Sequence, residues 1–138
     1  MTHFQLLFKL NKDNQIDTRE KDGKLLLDIE GKLEVMINNQ CFFSESYLAL
    51  LEFAVALSQW DQKDSFTYYT MEHDEREGPI LTFRKHEDNT WSVFSIWQTF
   101  EYNGTISSTI LHSEVDRFLL AINNELAQTY KLTTKSFR

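Results

Sequence analysis

Lys24-Leu25-Leu26-Leu27-Asp28-Ile29-Glu30-Gly31-Lys32-Leu33-Glu34-Val35-Met36-Ile37 is the stretch on which the reading of this chain turns. Leu25, Leu27, Ile29, Leu33, Val35 and Ile37 share one parity, and Lys24, Asp28, Glu30, Lys32 and Glu34 take the other. The alternation predicts a strand with one face on a core and one in water. Gly31 falls in the apolar register without a side chain, so either the strand bends there or a tight turn divides it. Asn38-Asn39 then suits a two-residue hairpin turn, because Asn tolerates the left-handed backbone that such turns require. The chain would return through Gln40 to Phe43. Upstream, Phe4 to Leu10 reads as a further strand, followed by a polar loop from Asn11 to Asp22.

Ser44 offers a helix N-cap, and the spacing predicts a helix from Tyr47 to Trp60. Its one weakly apolar stripe is Ala49, Glu52, Ala56 and Gln59, which assigns Glu52 to the exposed side. Leu48, Leu50, Leu51, Ala54, Val55 and Leu57 cover the rest, too much apolar surface for a helix with one narrow contact. It should be buried centrally. Strands are expected over Ser65 to Met71, Pro79 to Lys85, Trp91 to Tyr102 and Thr105 to Leu111. The polar loop Glu87 to Thr90 joins the middle pair and Asn103-Gly104 the last pair as hairpins. Ser113 and Asp116 resemble a capping box, after which Val115, Phe118, Leu119, Ile122 and Leu126 recur at helical spacing to about Tyr130. The expected fold is a single two-layer α+β domain spanning residues 1–138. An antiparallel sheet of six to seven strands carries two helices, in the order βββαββββα.

The composition of this 138-residue chain limits what it does. With 41% hydrophobic and 14% aromatic residues it is too apolar to be disordered, and its formal charge of -7 gives nucleic acid no electrostatic attraction. Cys41 has no partner for an internal disulfide and four-cysteine metal sites are excluded, which fits a reducing, cytoplasmic setting. The apolar start, Met1 to Leu10, is too interrupted for a signal-peptide core, and the longest strongly apolar run, Tyr47 to Leu57, is interrupted by Glu52. It also falls short of the ~20 residues of a bilayer-spanning helix.

Catalytic and cofactor patterns give little. His3, His73, His86 and His112 form no metal-binding spacing, the four glycines form no phosphate-cradling loop, and no Gly-x-Ser-x-Gly turn occurs. No metal, no cofactor and no enzymatic activity are expected. An acid-base pair built on His73 and a distant carboxylate is the one enzymatic alternative considered. Cys41, next to Phe42 and Phe43, reads as a small buried hydrophobe. In Trp91 to Phe100, Trp91, Val93, Ser95 and Trp97 share one face while Phe94, Ile96 and Phe100 share the other. One face must meet the helices. The other is a second core layer or an exposed aromatic patch, and Trp91, Trp97 and Phe100 are the candidates for that patch or for an apolar small-molecule pocket against the C-terminal helix.

Charge is segregated. Residues 1–39 carry 6 bases and 7 acids, residues 104–138 carry 4 and 3, and residues 40–103 carry 4 and 11. Glu72, Asp74, Glu75 and Glu77 concentrate four of those acids before Gly78-Pro79, where they would present negative potential to a basic partner.

Leu50-Leu-Glu-Phe-Ala-Val-Ala-Leu-Ser-Gln-Trp60, Phe66-Thr-Tyr-Tyr69, Pro79-Ile-Leu-Thr-Phe83 and Trp91-Ser-Val-Phe-Ser-Ile-Trp-Gln-Thr-Phe-Glu101 resemble framework segments of small uncharacterised proteins of Gram-positive bacteria. Some of these look like immunity proteins encoded beside secreted polymorphic toxins. The resemblance covers about residues 24 to 125 and transfers no active-site residue. It implies a cytoplasmic, non-enzymatic protein that binds and blocks a cognate toxin domain. The expected partner-binding residues are Glu72, Asp74, Glu75 and Glu77, set against a basic protein surface.

Overall fold

The computed structural model describes residues 2–12, 16, 23–69 and 75–137. Among the described residues the architecture is α+β with two antiparallel sheets and three α-helices. β1 (Phe4–Leu10), β2 (Gly31–Ile37) and β3 (Gln40–Leu48) form the first sheet in that order. β4 (Phe66–Tyr68), β5 (Leu81–Lys85), β6 (Thr90–Phe94) and β7 (Ile106–Ser107) form the second. The helices are α1 (Gly23–Asp28), α2 (Leu50–Gln59) and α3 (Ser108–Tyr130). The expected single sheet is thus divided in two, and a third helix is added.

The added helix and the shortened strands follow from two places where local pattern and structure part. Leu25 and Ile29, which share strand parity, are also four residues apart, and α1 uses that second relation to bury both. Gly31 is the divider. A Cβ there would lie 2.3 Å from the Lys9 carbonyl oxygen and 2.5 Å from Leu50 Cδ1, so only glycine lets β2 start this close to β1 and α2. The second place is Trp91 to Leu111, expected as two strands around an Asn103-Gly104 turn. β6 stops at Phe94, β7 is two residues long, and residues 95–105 form an irregular connection between them. The Asn38-Asn39 hairpin does form, with φ of 51° and 67° at its two residues.

α2 begins at Leu50, with Ala49 at the cap position and no side-chain cap, whereas Ser44 and Tyr47 lie in β3. Seven of its ten residues are buried, as befits an element enclosed by both sheets and α3. Phe53 meets Phe66, Tyr68 and Phe118 edge-on at centroid distances of 6.3, 5.1 and 5.7 Å. Phe4 of β1 meets Phe83 of β5 at 5.9 Å, so side chains of both sheets share one core. α3 starts five residues before Ser113: Ser107 is its N-cap, its hydroxyl oxygen accepting from the Ile110 N–H at 3.2 Å. Leu111, Val115, Phe118, Ile122 and Leu126 form its buried stripe. On the same helix, Glu114 and Arg117 close the open edge of β1. Glu114 Oε2 accepts from the Leu6 N–H at 2.7 Å, and Arg117 Nη2 donates to the Leu6 carbonyl at 2.8 Å. Among the described residues no second strand pairs with β1 on this side, and the pair stands in for one.

Candidate functional site

Where α1 ends and β3 gives way to α2, a cleft of about 480 Å³ opens beside the approach to β5 and the β6–β7 connection. Leu27 and Asp28 come from the last turn of α1, Glu30 from the link to β2, Glu45, Tyr47 and Leu48 from β3, Ile80 from the approach to β5, and Trp97 from the β6–β7 connection. Its floor is apolar, with Leu48 and Ile80 buried. Its rim carries three carboxylates and two large aromatic residues, Tyr47 at 70% exposure and Trp97 at 44%.

The rim is held in place by neighbouring structure. Ile29, fully buried, anchors the chain between Asp28 and Glu30. Glu45 Oε1 accepts from the Tyr47 N–H at 3.1 Å, fixing the turn of backbone that presents the phenol. Trp97 sits on a connection pinned from both sides: the Ile96 N–H donates to the Pro79 carbonyl at 3.2 Å, and the Thr99 N–H to the Phe42 carbonyl at 2.8 Å. Buried Ser95 orders the bend, its hydroxyl oxygen accepting from the Trp97 N–H at 3.0 Å. The indole stacks on Phe43 with centroids 6.4 Å apart and 18° between planes. These contacts preorganise Trp97, so little ordering entropy is lost at that residue when a partner arrives.

The electrostatics are one-sided. Asp28 lies 3.8 Å from Lys24 in an exposed i,i+4 pair, an interaction that water largely screens. No cation among the described residues pairs with Glu30 or Glu45. Beyond Tyr47 the sign reverses, in a second cleft of about 540 Å³ lined by Lys9, Lys12 and Lys32 together with Glu125 and the same tyrosine. Lys12 and Glu125 pair there at 3.1 Å. Among the described residues, no group of three or more His, Cys, Asp and Glu side chains is arranged to hold a metal ion.

The residues expected from sequence are dispersed. Glu72, Asp74 and His73 lie outside the described residues. Glu75 and Glu77 belong to a 3₁₀ turn, Glu75–Glu77, and Glu77 is exposed. That turn runs through Gly78-Pro79 into Ile80, one wall of the cleft. Trp91, Trp97 and Phe100 do not share a surface. Trp91 has no exposed area and meets Trp60 at 5.4 Å, and Phe100 packs edge-on against Phe42, also at 5.4 Å. Phe94, assigned to the opposite face, is 45% exposed. Glu52 is a correction: it is buried, and the Tyr68 hydroxyl donates to its Oε1 at 2.8 Å. His112 rests between Trp60 and Trp91, His86 pairs with Ser92 at 3.1 Å, and the Cys41 thiol donates to the Phe43 carbonyl at 3.4 Å.

Asp28, Glu30, Glu45 and Tyr47 were not singled out in the sequence. The first two read as the wet face of a strand, and Tyr47 read as the start of a helix. The signals that would have found them are Gly31, as a chain break between Glu30 and Lys32, and the poor helix formers Ser44 and Ser46 ahead of Tyr47.

Fold and cleft together define an α+β protein of two antiparallel sheets with an acidic, aromatic-rimmed cleft beside the end of β3. The chain belongs to the family described as a domain of unknown function, DUF7878, whose model matches residues 6–128. No curated protein and no solved structure matches it. Among the described residues, no helix is long and apolar enough to cross a membrane.

Proposed function

We propose that this protein is a non-enzymatic cytoplasmic immunity protein, which binds a cognate bacterial toxin domain through its acidic surface and blocks it. The observation that carries the reading is the convergence of Asp28, Glu30 and Glu45 with exposed Tyr47 and Trp97 on one cleft of a chain with a net charge of -7. Aromatic residues at a rigid rim supply the desolvated anchors that hold a protein complex together, and carboxylates around them steer a basic partner into register. A stable interface needs roughly 800 Å² from each partner, more than one cleft offers. The Glu75–Glu77 turn leads through Gly78-Pro79 to Ile80 in the cleft wall, and exposed Glu77 adds a carboxylate to the surface on offer. Blocking would be by occlusion: a basic catalytic or substrate-binding surface covered by this face is closed to its own substrate.

Co-expression with the product of the adjacent gene, assayed for toxicity on its own, tests the proposal. Rescue of growth and a co-purifying complex are expected, and a failure of both would remove the immunity reading. Glu75→Gln combined with Glu77→Gln should slow association and flatten its dependence on salt, measured by stopped flow at several ionic strengths.

A further inference from the structure

The carboxylates of the cleft form no group of three arranged to hold a metal ion, yet the cleft is lined by two large aromatic residues and three acids. That combination suits an organic cation with a flat, delocalised charge. A guanidinium can stack on an indole or phenol while its N–H groups reach carboxylates beside the ring, whereas an ammonium presents a compact, strongly hydrated charge. We infer that the cleft is an arginine-reading subsite: one Arg side chain of a partner protein enters against Trp97 and Tyr47 and is met by Glu30 and Glu45. This rests on the proposed protein-binding role and specifies what that role recognises.

Charge complementarity decides the occupant and also the edge of the footprint. Glu30 and Glu45 have no cation among the described residues, so an incoming guanidinium displaces no internal cation there. On the far side of Tyr47, Lys9 stands directly opposite Lys32 in the β1–β2 register, and a basic surface laid over them would add like charge to like. The basic patch of the partner therefore ends at Tyr47, whose 70% exposed side chain separates the acidic cleft from the lysine cleft.

Three blocked hexapeptides, of arginine, lysine and neutral citrulline, can be titrated against the intact protein while the indole N–H signals are followed by NMR. The arginine peptide should shift Trp97, whereas the buried Trp91 signal should stay in place. The lysine peptide should bind about threefold or more weakly, and citrulline should not bind in the same range. Glu30→Gln and Trp97→Ala should each weaken the arginine peptide by about three- to tenfold. Tyr47→Ala, at a more exposed position, serves should Trp97→Ala fail to fold. Equal binding of the citrulline peptide, or arginine affinity unchanged in the folded variants, overturns the inference. The toxin co-expression assay separates the two claims. Wild-type rescue with peptide binding insensitive to the cleft variants retains the immunity role and rejects the subsite, whereas cleft-dependent arginine binding without rescue retains the subsite and rejects immunity.

Discussion

Glu52 shows how one contact reverses an assignment made from helical periodicity. A carboxylate among Leu50, Leu51, Phe53 and Ala54 belongs outside by pattern, but the Tyr68 hydroxyl, on a strand 16 residues away, meets it inside. Tyr68→Phe keeps the ring contact with Phe53 and removes this donor, and should cost about 1–3 kcal/mol in denaturant unfolding. Gly31→Ala drives a methyl into the Lys9 carbonyl and Leu50 and should destabilise by a similar 1–3 kcal/mol, roughly, because backbone and not a flexible side chain must give way. Asp61 offers a pH test. The backbone N–H groups of Lys63 and Asp64 donate to its Oδ1 at 2.8 and 3.2 Å and hold its carboxyl below the usual 3.8. A carboxyl with a lowered folded-state pKa stabilises above its unfolded value, and the contribution fades as pH falls from 3.8 through the folded value. Asp61→Asn keeps an oxygen acceptor without the titration, so its acid-unfolding profile should be flatter over that window.

Elements were legible wherever a single period governed a segment. β1, the Asn38-Asn39 hairpin and the buried stripe of α3 follow from two-residue alternation, left-handed Asn and four- or three-residue spacing, each of which is local. Leu25 to Ile29 satisfied both periods, and five residues are too few for either to win without the packing around them. The Trp91 to Tyr102 segment had the composition of a long strand but is bent at Ser95 by bonds to Pro79 and Phe42, which lie far off in sequence. The edge of β1 is another tertiary device, since no pattern reveals that Glu114 and Arg117 reach Leu6. Arg117 donates to Glu114 through Nε and Nη2, and this pairing raises its guanidinium pKa from the ordinary value. Arg117→Ala should loosen the β1–α3 contact, cost about 1–2 kcal/mol and speed amide exchange at the β1 edge, measured by hydrogen exchange. Removing the α3 cap by Ser107→Ala should cost about 0.5–2 kcal/mol in the same unfolding assay.

Across the whole molecule, net charge translated poorly into a surface. The middle of the sequence holds the acidic excess, yet Asp28 and Glu30 reach the cleft from the nearly balanced first 39 residues. If the cleft is the contact face, Asp28→Asn with Glu30→Gln should reduce the salt dependence of partner association at least as much as neutralising Glu75 and Glu77, measured from rates at two or more ionic strengths. The sequence by itself determined the α+β class, the central apolar helix, the hairpin and the acidic character, because these depend on composition and on spacing within one segment. The tertiary structure alone decided that the strands divide into two sheets, that Glu52 turns inward, that Trp91 is core while Trp97 is rim, and which acids share a cleft. Those outcomes depend on contacts between segments tens of residues apart, where a bond to Pro79 or a close approach at Gly31 outweighs the local preference of the chain.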